Sequence, residues 1–578
     1  MKNLIKPMIM KKLLISISLL GCCLAAGAQN MYDAINLSEV NYFGTARSMA
    51  LGNAVTAVGG DLGTVNINPA GSAVAGYSQF TISPGITISS TSAGYVGNGV
   101  DQHSSSISKS RKITMPNLGT MLNFETGKKY GLKSYAFGAI INHTNNFLNS
   151  FDVATQCSKT SRFAEFAAAS NGLSTRDLGS YDAFYDTDIN WDLLTAYQAN
   201  LFSDYGTDGL YAGNSEAIAP GLDYHYIPGA MTQRSHVERS GIKRDVIVNF
   251  AGNISDRIFF GVNLGSVTSS YNYSELYREE PLQPDLFGLT FVKDGQNVET
   301  NYLRGSMRYA YAADYTGIYG KIGVIALPFR FLRIGAAIKT PTLYTVNEAW
   351  QYEASSSYSN SYFNGSATSP LGNYTYDLVS PWEANFGIAM TLGARLLLSY
   401  DYEMTDYSSM RFENSPSSDF GFNPFNVQNE TISRFCGVSN SHRFGVELRL
   451  IPSLSLRYGY TNTSSPERVY TDEYGNYVDA NEFSRYYDDF QSGRVLLYSP
   501  RYVNSGRHSH SFGIGYASNG SFFMDFAIRK TTYTAETYLP YYDYTNYDKN
   551  GQQVNTPSPQ ISYIRRPVNA ILTFGWRF

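Results

Sequence analysis

An all-β fold is what this sequence predicts: a transmembrane antiparallel β-barrel of about fourteen strands with an N-terminal hatch plugging its lumen. Three observations predict it. Past residue 28 no apolar run approaches the roughly 20 residues that a membrane helix needs, so a spanning chain must satisfy its backbone between strands in a closed barrel. Segments of about ten residues that alternate apolar and polar recur from Ser78 to Phe578. The connections between them alternate short and long, as periplasmic turns and outer loops do.

Composition agrees. Charged residues make up only 16% and aromatics reach 15%, with 47 Tyr and 33 Phe, which suits strands with two differently solvated faces and excludes a disordered chain. Residues 1–28 read as a signal peptide: a lysine-bearing head, an apolar run from Leu13 to Leu20, and Ala26-Gly27-Ala28 before Gln29. Leu19-Leu20-Gly21-Cys22 offers a lipoprotein site as a second reading, which fits its pattern less well. Removing Lys2, Lys6, Lys11 and Lys12 leaves 40 basic against 48 acidic residues, a formal charge of −8. That excess of acid argues against a nucleic-acid partner. Only Cys157 and Cys436 remain, either two unrelated thiols or one pair across two loops.

The strands follow from period two. In 443–450 Phe444, Val446, Leu448 and Leu450 share one face against Arg443, Glu447 and Arg449. In 454–461 Leu454, Leu456, Tyr458 and Tyr460 oppose Ser455, Arg457, Gly459 and Thr461. The same split recurs in 259–266, 332–339 and 397–405. Short turns are expected at 127–133, 253–256, 326–331, 393–395, 451–453 and 519–520. Long loops are expected at about 93–113, 150–240, 276–302, 352–372, 413–440, 464–506 and 536–563. The final segment puts Ala570, Leu572, Phe574, Trp576 and Phe578 on one face, and this resembles the terminal strand by which outer-membrane barrels are read by their assembly machinery. Phe578 is therefore the expected contact with that machinery, and outer-membrane lipid and lipopolysaccharide the expected surroundings.

A barrel of about fourteen strands is too wide for its own side chains to fill. Residues 29–77, rich in Gly, Ala, Ser and Asn, are the available plug, and 78–578 form the barrel. ARSMALGNAVTAV (46–58) reads as a short helix, and in NPAG (68–71) Pro69 fixes its own φ and holds Asn68 extended.

GTARSMALGNAVTAVGGDLGTVNINPAG resembles the hatch of the FadL-type outer-membrane transporters of long-chain fatty acids and other hydrophobic compounds, with Arg47, Gly52, Ala57, Asp61 and Asn68-Pro69-Ala70-Gly71 matching. Segments 137–151 and 396–410 are similar to strands of the family's Bacteroidetes branch. The resemblance implies an outer-membrane protein of a Gram-negative bacterium that captures a hydrophobic small molecule at its outer loops, shifts its hatch, and releases the cargo sideways into the membrane. It implies gating roles for Arg47, Asp61, Asn68, Pro69 and Ala70. The family's carboxylate-binding basic residues and kinked strand have no counterpart legible here, and the second long loop is unusually large.

Arg333, Lys339, Asp401, Glu403, Arg443, Glu447, Arg449, Arg457, Asp525 and Arg529 are expected to face the lumen. Two readings stand: Arg333, Lys339, Arg449 or Arg457 hold a cargo carboxylate, or the set is a mixed-charge ladder that anchors the hatch through Arg47 and Asp61. SRFAEFAAASNGL and NWDLLTAYQANLF (161–173, 190–202) are helix-compatible; Phe163 and Phe166 line a capture groove for a greasy ligand or pack into the loop's own core. Asp186, Asp188 and Asp192 lack the Gly and Glu of a calcium loop. His508 and His510 could hold haemin, which makes a haemin receptor one alternative, but Phe512, Ile514 and Tyr516 continue their face and place them at the outer interface. No metal or cofactor is expected, and the chain carries no G-x-S-x-G, H-E-x-x-H or phosphate loop, so an enzyme is not expected. The other alternative is a non-transporting scaffold, secretion-associated or surface-interaction barrel.

Overall fold

Alternation decides which way each strand faces, and the wall is built on it. The computed structural model describes residues 30–97, 100–205, 209–218, 224–393, 395–415, 424–502 and 506–578. The expected leader, 1–28, lies outside the described residues. The first seven wall strands are β1 (Gln79–Val96), β2 (Ser105–Glu125), β3 (Leu132–Asn146), β4 (Met231–Ile254), β5 (Ile258–Pro281), β6 (Gln296–Phe329) and β7 (Leu332–Lys339). The rest are β8 (Glu383–Leu392), β9 (Leu396–Asp406), β10 (Val438–Ile451), β11 (Leu454–Ser464), β12 (Gly506–Ala517), β13 (Phe522–Tyr533) and β14 (Val568–Arg577). Each pairs antiparallel with the next, and β14 pairs back onto β1 through Phe80↔Trp576 and Ile86↔Ala570, which closes a barrel of fourteen strands.

The outside is apolar and the inside polar. Val248, Leu264 and Ile322 are 61%, 67% and 59% exposed, while their strand neighbours Asn249, Asn263 and Lys321 are at most 1% exposed. A closed barrel with such a band is the architecture of the outer membrane; among the described residues no helix is long and apolar enough to cross a membrane. Aromatic belts border the band. Trp576 packs on Phe80 and Phe522 at the short-turn end. Toward the loop end, Tyr400 donates to or accepts from His442 (2.9 Å), and Tyr458 does the same with His510 (3.0 Å). His508 and His510 thus face outward in the interfacial belt.

Several wall strands are interrupted on the loop side. β7 resumes as Leu343–Tyr358 past Pro341, β8 follows Gly372–Val379 across Pro381, and β14 follows Gln560–Arg565 across Pro567; proline has no N–H for the ladder. β3 resumes as Asn149–Cys157 after Phe147-Leu148, with no proline. The loop expected at 93–113 is corrected: β1 and β2 run through it and only 97–104 connect them. Its Ser- and Gly-rich sequence hides the alternation, because few apolar residues mark the outer face there.

Residues 30–77 fill the lumen. Helix α1 (Met31–Ser38) is capped by Asn30 Oδ1, which accepts from Tyr32 N (2.8 Å) and Asp33 N (3.0 Å), while Asp33 Oδ2 accepts from Asn30 N (3.1 Å). Helix α2 spans only Ala46–Ala50, shorter than the helix expected over 46–58. Gly52 and Asn53, at φ of 63° and 58°, turn the backbone left-handed and end it. Above the lumen the loop 158–230 contributes helices α3 (Arg162–Ser170) and α4 (Trp191–Gln198), whose apolar sides meet in a buried core across the barrel mouth. Cys157 and Cys436 are both buried and not joined by a disulfide.

Candidate functional site: the hatch, its wall and the seam

The hatch is seated by the turn that NPAG makes. Asn68 is extended (φ −135°, ψ 112°), and its Oδ1 accepts from Ala70 N (3.1 Å) while its Nδ2 donates to Thr56 O (2.7 Å) and to Val324 O of the wall (3.1 Å). Pro69 opens a 3-10 turn over Pro69–Val74, and its carbonyl accepts from Asn249 of β4 (3.1 Å). The wall approaches closely where it has no side chain. A Cβ on Gly323 would lie 2.0 Å from Asn68 Oδ1, and one on Gly459 would lie 2.0 Å from Gly52 N.

Charges complete the seat. Glu447 lies between Arg47 of the hatch (2.9 Å) and Arg457 of β11 (2.7 Å), and Arg457 also meets Asp525 (2.5 Å). Asp61 accepts from Thr45 Oγ1 (2.5 Å). Asp401 Oδ2 accepts from Thr56 N (2.7 Å), and Arg333 donates to Val58 O (2.6 Å). Lys339 pairs with Glu383 (2.7 Å), and the buried Lys321 donates to Asn66 O (2.9 Å). Lys243, which the sequence reading missed, caps the C-terminal end of α1 by donating to Leu37 O at 2.8 Å and to Ser38 O and Glu39 O at 3.3 Å. Its signal was present: Lys243, Asp245 and Asn249 share one face of β4 against Val246, Val248 and Phe250.

The structure brings five expected residues together. Arg47, Asp61, Arg333, Arg449 and Arg457 line one cavity of about 530 Å³ at the short-turn end of the lumen, beneath the hatch. Six guanidinium groups and three carboxylates line it (Arg395, Arg577, Glu447 and Asp525 being the others), so it suits water and ions rather than a hydrocarbon. Lys339 lies apart, in its buried pair with Glu383. Phe163 and Phe166 lie at the opposite end, 0% and 5% exposed in the core of the external cap. The six expected ligand residues do not form one site.

An apolar part of the hatch is α1. Met31, Ala34 and Leu37 of α1 are buried against wall and loop residues that include Tyr271, Tyr315 and Phe412, and Phe147 stacks edge-on with Tyr271 at 5.0 Å. Phe147 sits at a seam. β2 and β3 pair from Glu125↔Ser134 up to Asn117↔Asn142, and among the described residues no ladder joins Arg111–Pro116 to His143–Asn149. Pro116 lacks the N–H a ladder needs. Above the break isolated bonds bridge in place of a ladder: the hydroxyls of Ser110 and Ser150 meet at 2.7 Å, and near the tip Asp101 N donates to Gln156 O at 3.0 Å. The hatch takes up the strand that β2 gives up: Asn41 N donates to Thr144 O (2.6 Å) and Phe43 N to His143 O (3.2 Å).

No protein-family model matches the sequence, and neither does any curated protein. Among solved structures the chain is similar to the P. putida toluene transporter TodX, at 12% identity and a TM-score of 0.45, over 93% of this chain and 99% of that one. It is also similar to the CymD monoaromatic hydrocarbon channel (11%, TM-score 0.43, 94% and 98%) and to a Pseudomonas aeruginosa FadL homologue (10%, TM-score 0.45, 93% and 99%).

Proposed function

We propose that this protein is a FadL-type outer-membrane channel for hydrophobic small molecules such as long-chain fatty acids. Cargo enters through the external cap, displaces the apolar side of α1 from the aromatic lumen, and leaves sideways between β2 and β3. No nucleotide or coupling ion is required, since transfer runs down the cargo's own gradient. The observation that carries the reading is the bond between hatch arm and seam: Asn41 and Phe43 donate to Thr144 and His143, on the stretch where the wall ladder is broken. Drawing the arm away frees that stretch of β3, so hatch movement and seam opening are one event. Asn68, Pro69, Ala70, Arg47 and Asp61 hold the rest of the hatch while the arm moves.

A disulfide across the seam tests this. Ser110→Cys with Ser150→Cys replaces two hydroxyls already 2.7 Å apart, and Cα atoms bridged by a disulfide lie about 4.4–6.8 Å apart. Cells carrying the oxidised pair are expected to lose protein-dependent uptake of labelled fatty acid and to regain it on reduction. Undiminished uptake with the bond fully formed refutes the lateral route. Asn68→Ala with Pro69→Ala, at matched surface abundance, is expected to impair uptake through the hatch. If cells with and without the protein take up cargo equally, while the protein is recovered in a stable complex without bound lipid, the scaffold reading replaces transport.

A further inference from the structure

Where the hatch arm Val40–Tyr42 crosses the lumen it meets the inward faces of β10 to β13 at a second, much smaller cavity of about 20 Å³. Arg443, Arg507 and Arg529 line it, with the hydroxyls of Thr463, Ser509 and Thr531, and no carboxylate does. Arg443 and Arg529 are 5% and 3% exposed. Arg443 spends one end of its guanidinium on Glu403 (Nη2 to Oε1, 2.8 Å), and Arg507 is engaged by Glu39 and Val40 O. Arg529 donates to Tyr42 O (2.9 Å), and among the described residues no carboxylate lies within ion-pair distance of it. Three buried donors have no protein acceptor: Arg443 Nη1, Arg529 Nε and Arg529 Nη2.

Buried donors are almost always satisfied, and a buried cation needs a counter-charge. A cavity of about 20 Å³ has room for one particle, since a single water needs roughly 10–15 Å³. A water is neutral and accepts two hydrogen bonds, which leaves an N–H and a charge unanswered. A carboxylate head brings three heavy atoms and a chain and does not fit. We propose that a single halide ion, chloride in most surroundings, binds among Arg443, Arg507 and Arg529 and ties the hatch arm to the wall. The ion supplies the negative charge that Arg529 lacks and an acceptor for all three N–H groups. It touches the same arm that bonds the seam through Asn41, so chloride holds the arm in place whether or not the barrel carries hydrophobic cargo.

Crystals of the full mature chain grown in sodium bromide, with diffraction recorded at the bromine edge, are expected to show an anomalous peak between the three guanidinium groups. Hydrogen exchange of residues 40–43 is expected to slow as chloride replaces gluconate at constant ionic strength, by about tenfold at ten times the dissociation constant. Arg529→Gln is expected to abolish both the peak and the chloride dependence, and Arg529→Lys, which keeps the charge, to weaken the dependence without removing it. Should Arg529→Gln fail to fold, Thr531→Val removes a lining hydroxyl, leaves the charges alone, and is expected to weaken chloride's effect. Bromide crystals without a peak at this cavity overturn the proposal. So does a chloride effect that persists undiminished in Arg529→Gln, because it is then general screening.

Discussion

A methyl group at residue 459 has nowhere to go. The Cβ of an alanine there would stand 2.0 Å from Gly52 N, and that neighbour is hatch backbone, which has no rotamer to swing aside. Overpacking of this kind costs about 1–3 kcal/mol, and here the hatch yields before the wall, because β11 is held on both edges by β10 and β12. Gly459→Ala is therefore expected to loosen the hatch and raise the conductance of the barrel in planar bilayers. Gly320→Ala on β6 is the control, since its Cβ would meet Thr340 Cγ2 at 3.8 Å, an ordinary van der Waals contact, and it is expected to leave the conductance unchanged. Asn68→Ala acts by loss instead of excess. It removes bonds to Thr56, Val324 and Ala70 within a buried turn, and stranding even one buried partner costs about 1–3 kcal/mol. Faster hydrogen exchange across 56–70, with the strand amides unchanged, is the expected result.

At the scale of elements, deleting residues 29–77 asks what the hatch does for the barrel. The deletion removes the partner carbonyls of Lys243 and Lys321 and the Arg47 side of Glu447. The wall keeps its own pairs, Lys339 with Glu383 and Arg457 with Asp525, so the barrel is expected to assemble with a wetter lumen and a higher single-channel conductance. An unchanged trace contradicts the plug. The wall strands were legible in the sequence because the lipid imposes period two on every strand, and the plug because a barrel this wide needs a filler. α1 was legible in principle, in the reciprocal pair Asn30 and Asp33, although eight residues give little periodicity. Other features were hidden for physical reasons. Glu447 joins Arg47 to Arg457 across 400 residues of chain, a pairing that exists only once the barrel has closed. The break in β3 falls at Phe147-Leu148, apolar residues that carry no turn signal of their own. The two arginine-lined cavities draw on strands far apart in sequence, so alternation placed their residues on the lumen side without showing which of them meet.

On the transport reading proposed above, the outer loops of the whole molecule must part for cargo to enter, and their charges are expected to set when they part. Glu216 of the first large loop accepts from His225 (3.0 Å, if Nδ1 carries the proton) and from Asn546 of the last loop (2.8 Å), which staples the two together. Burial pulls the His225 imidazolium down, but the hydrogen bond and charge of Glu216 outweigh it and hold His225 protonated above its usual range. A raised histidine value gives stability that is full below the unfolded value of about 6.5 and lost as pH rises through the folded value. Glu165 on α3 has the same sign: burial, with Asp192 nearby, pushes its carboxyl up from 4.5 to about 7, so ionising it between those values works against the packed cap. Glu467 in a neighbouring outer loop is pushed up to about 7 by burial and by Glu536 and Asp479. All three groups therefore favour a closed cap in acid and a looser one above neutrality. Trp191 reports on it, since its indole donates to Phe184 O (2.9 Å) inside the cap and lies 5.9 Å from Trp350 of the strand that continues β7. Acrylamide quenching of tryptophan fluorescence is expected to rise between about pH 5 and pH 8, with a smaller rise in Glu165→Gln, which stays neutral throughout, and in His225→Gln. A quenching profile that stays flat across that range removes the cap's charges from control of entry and leaves the hatch arm as the gate.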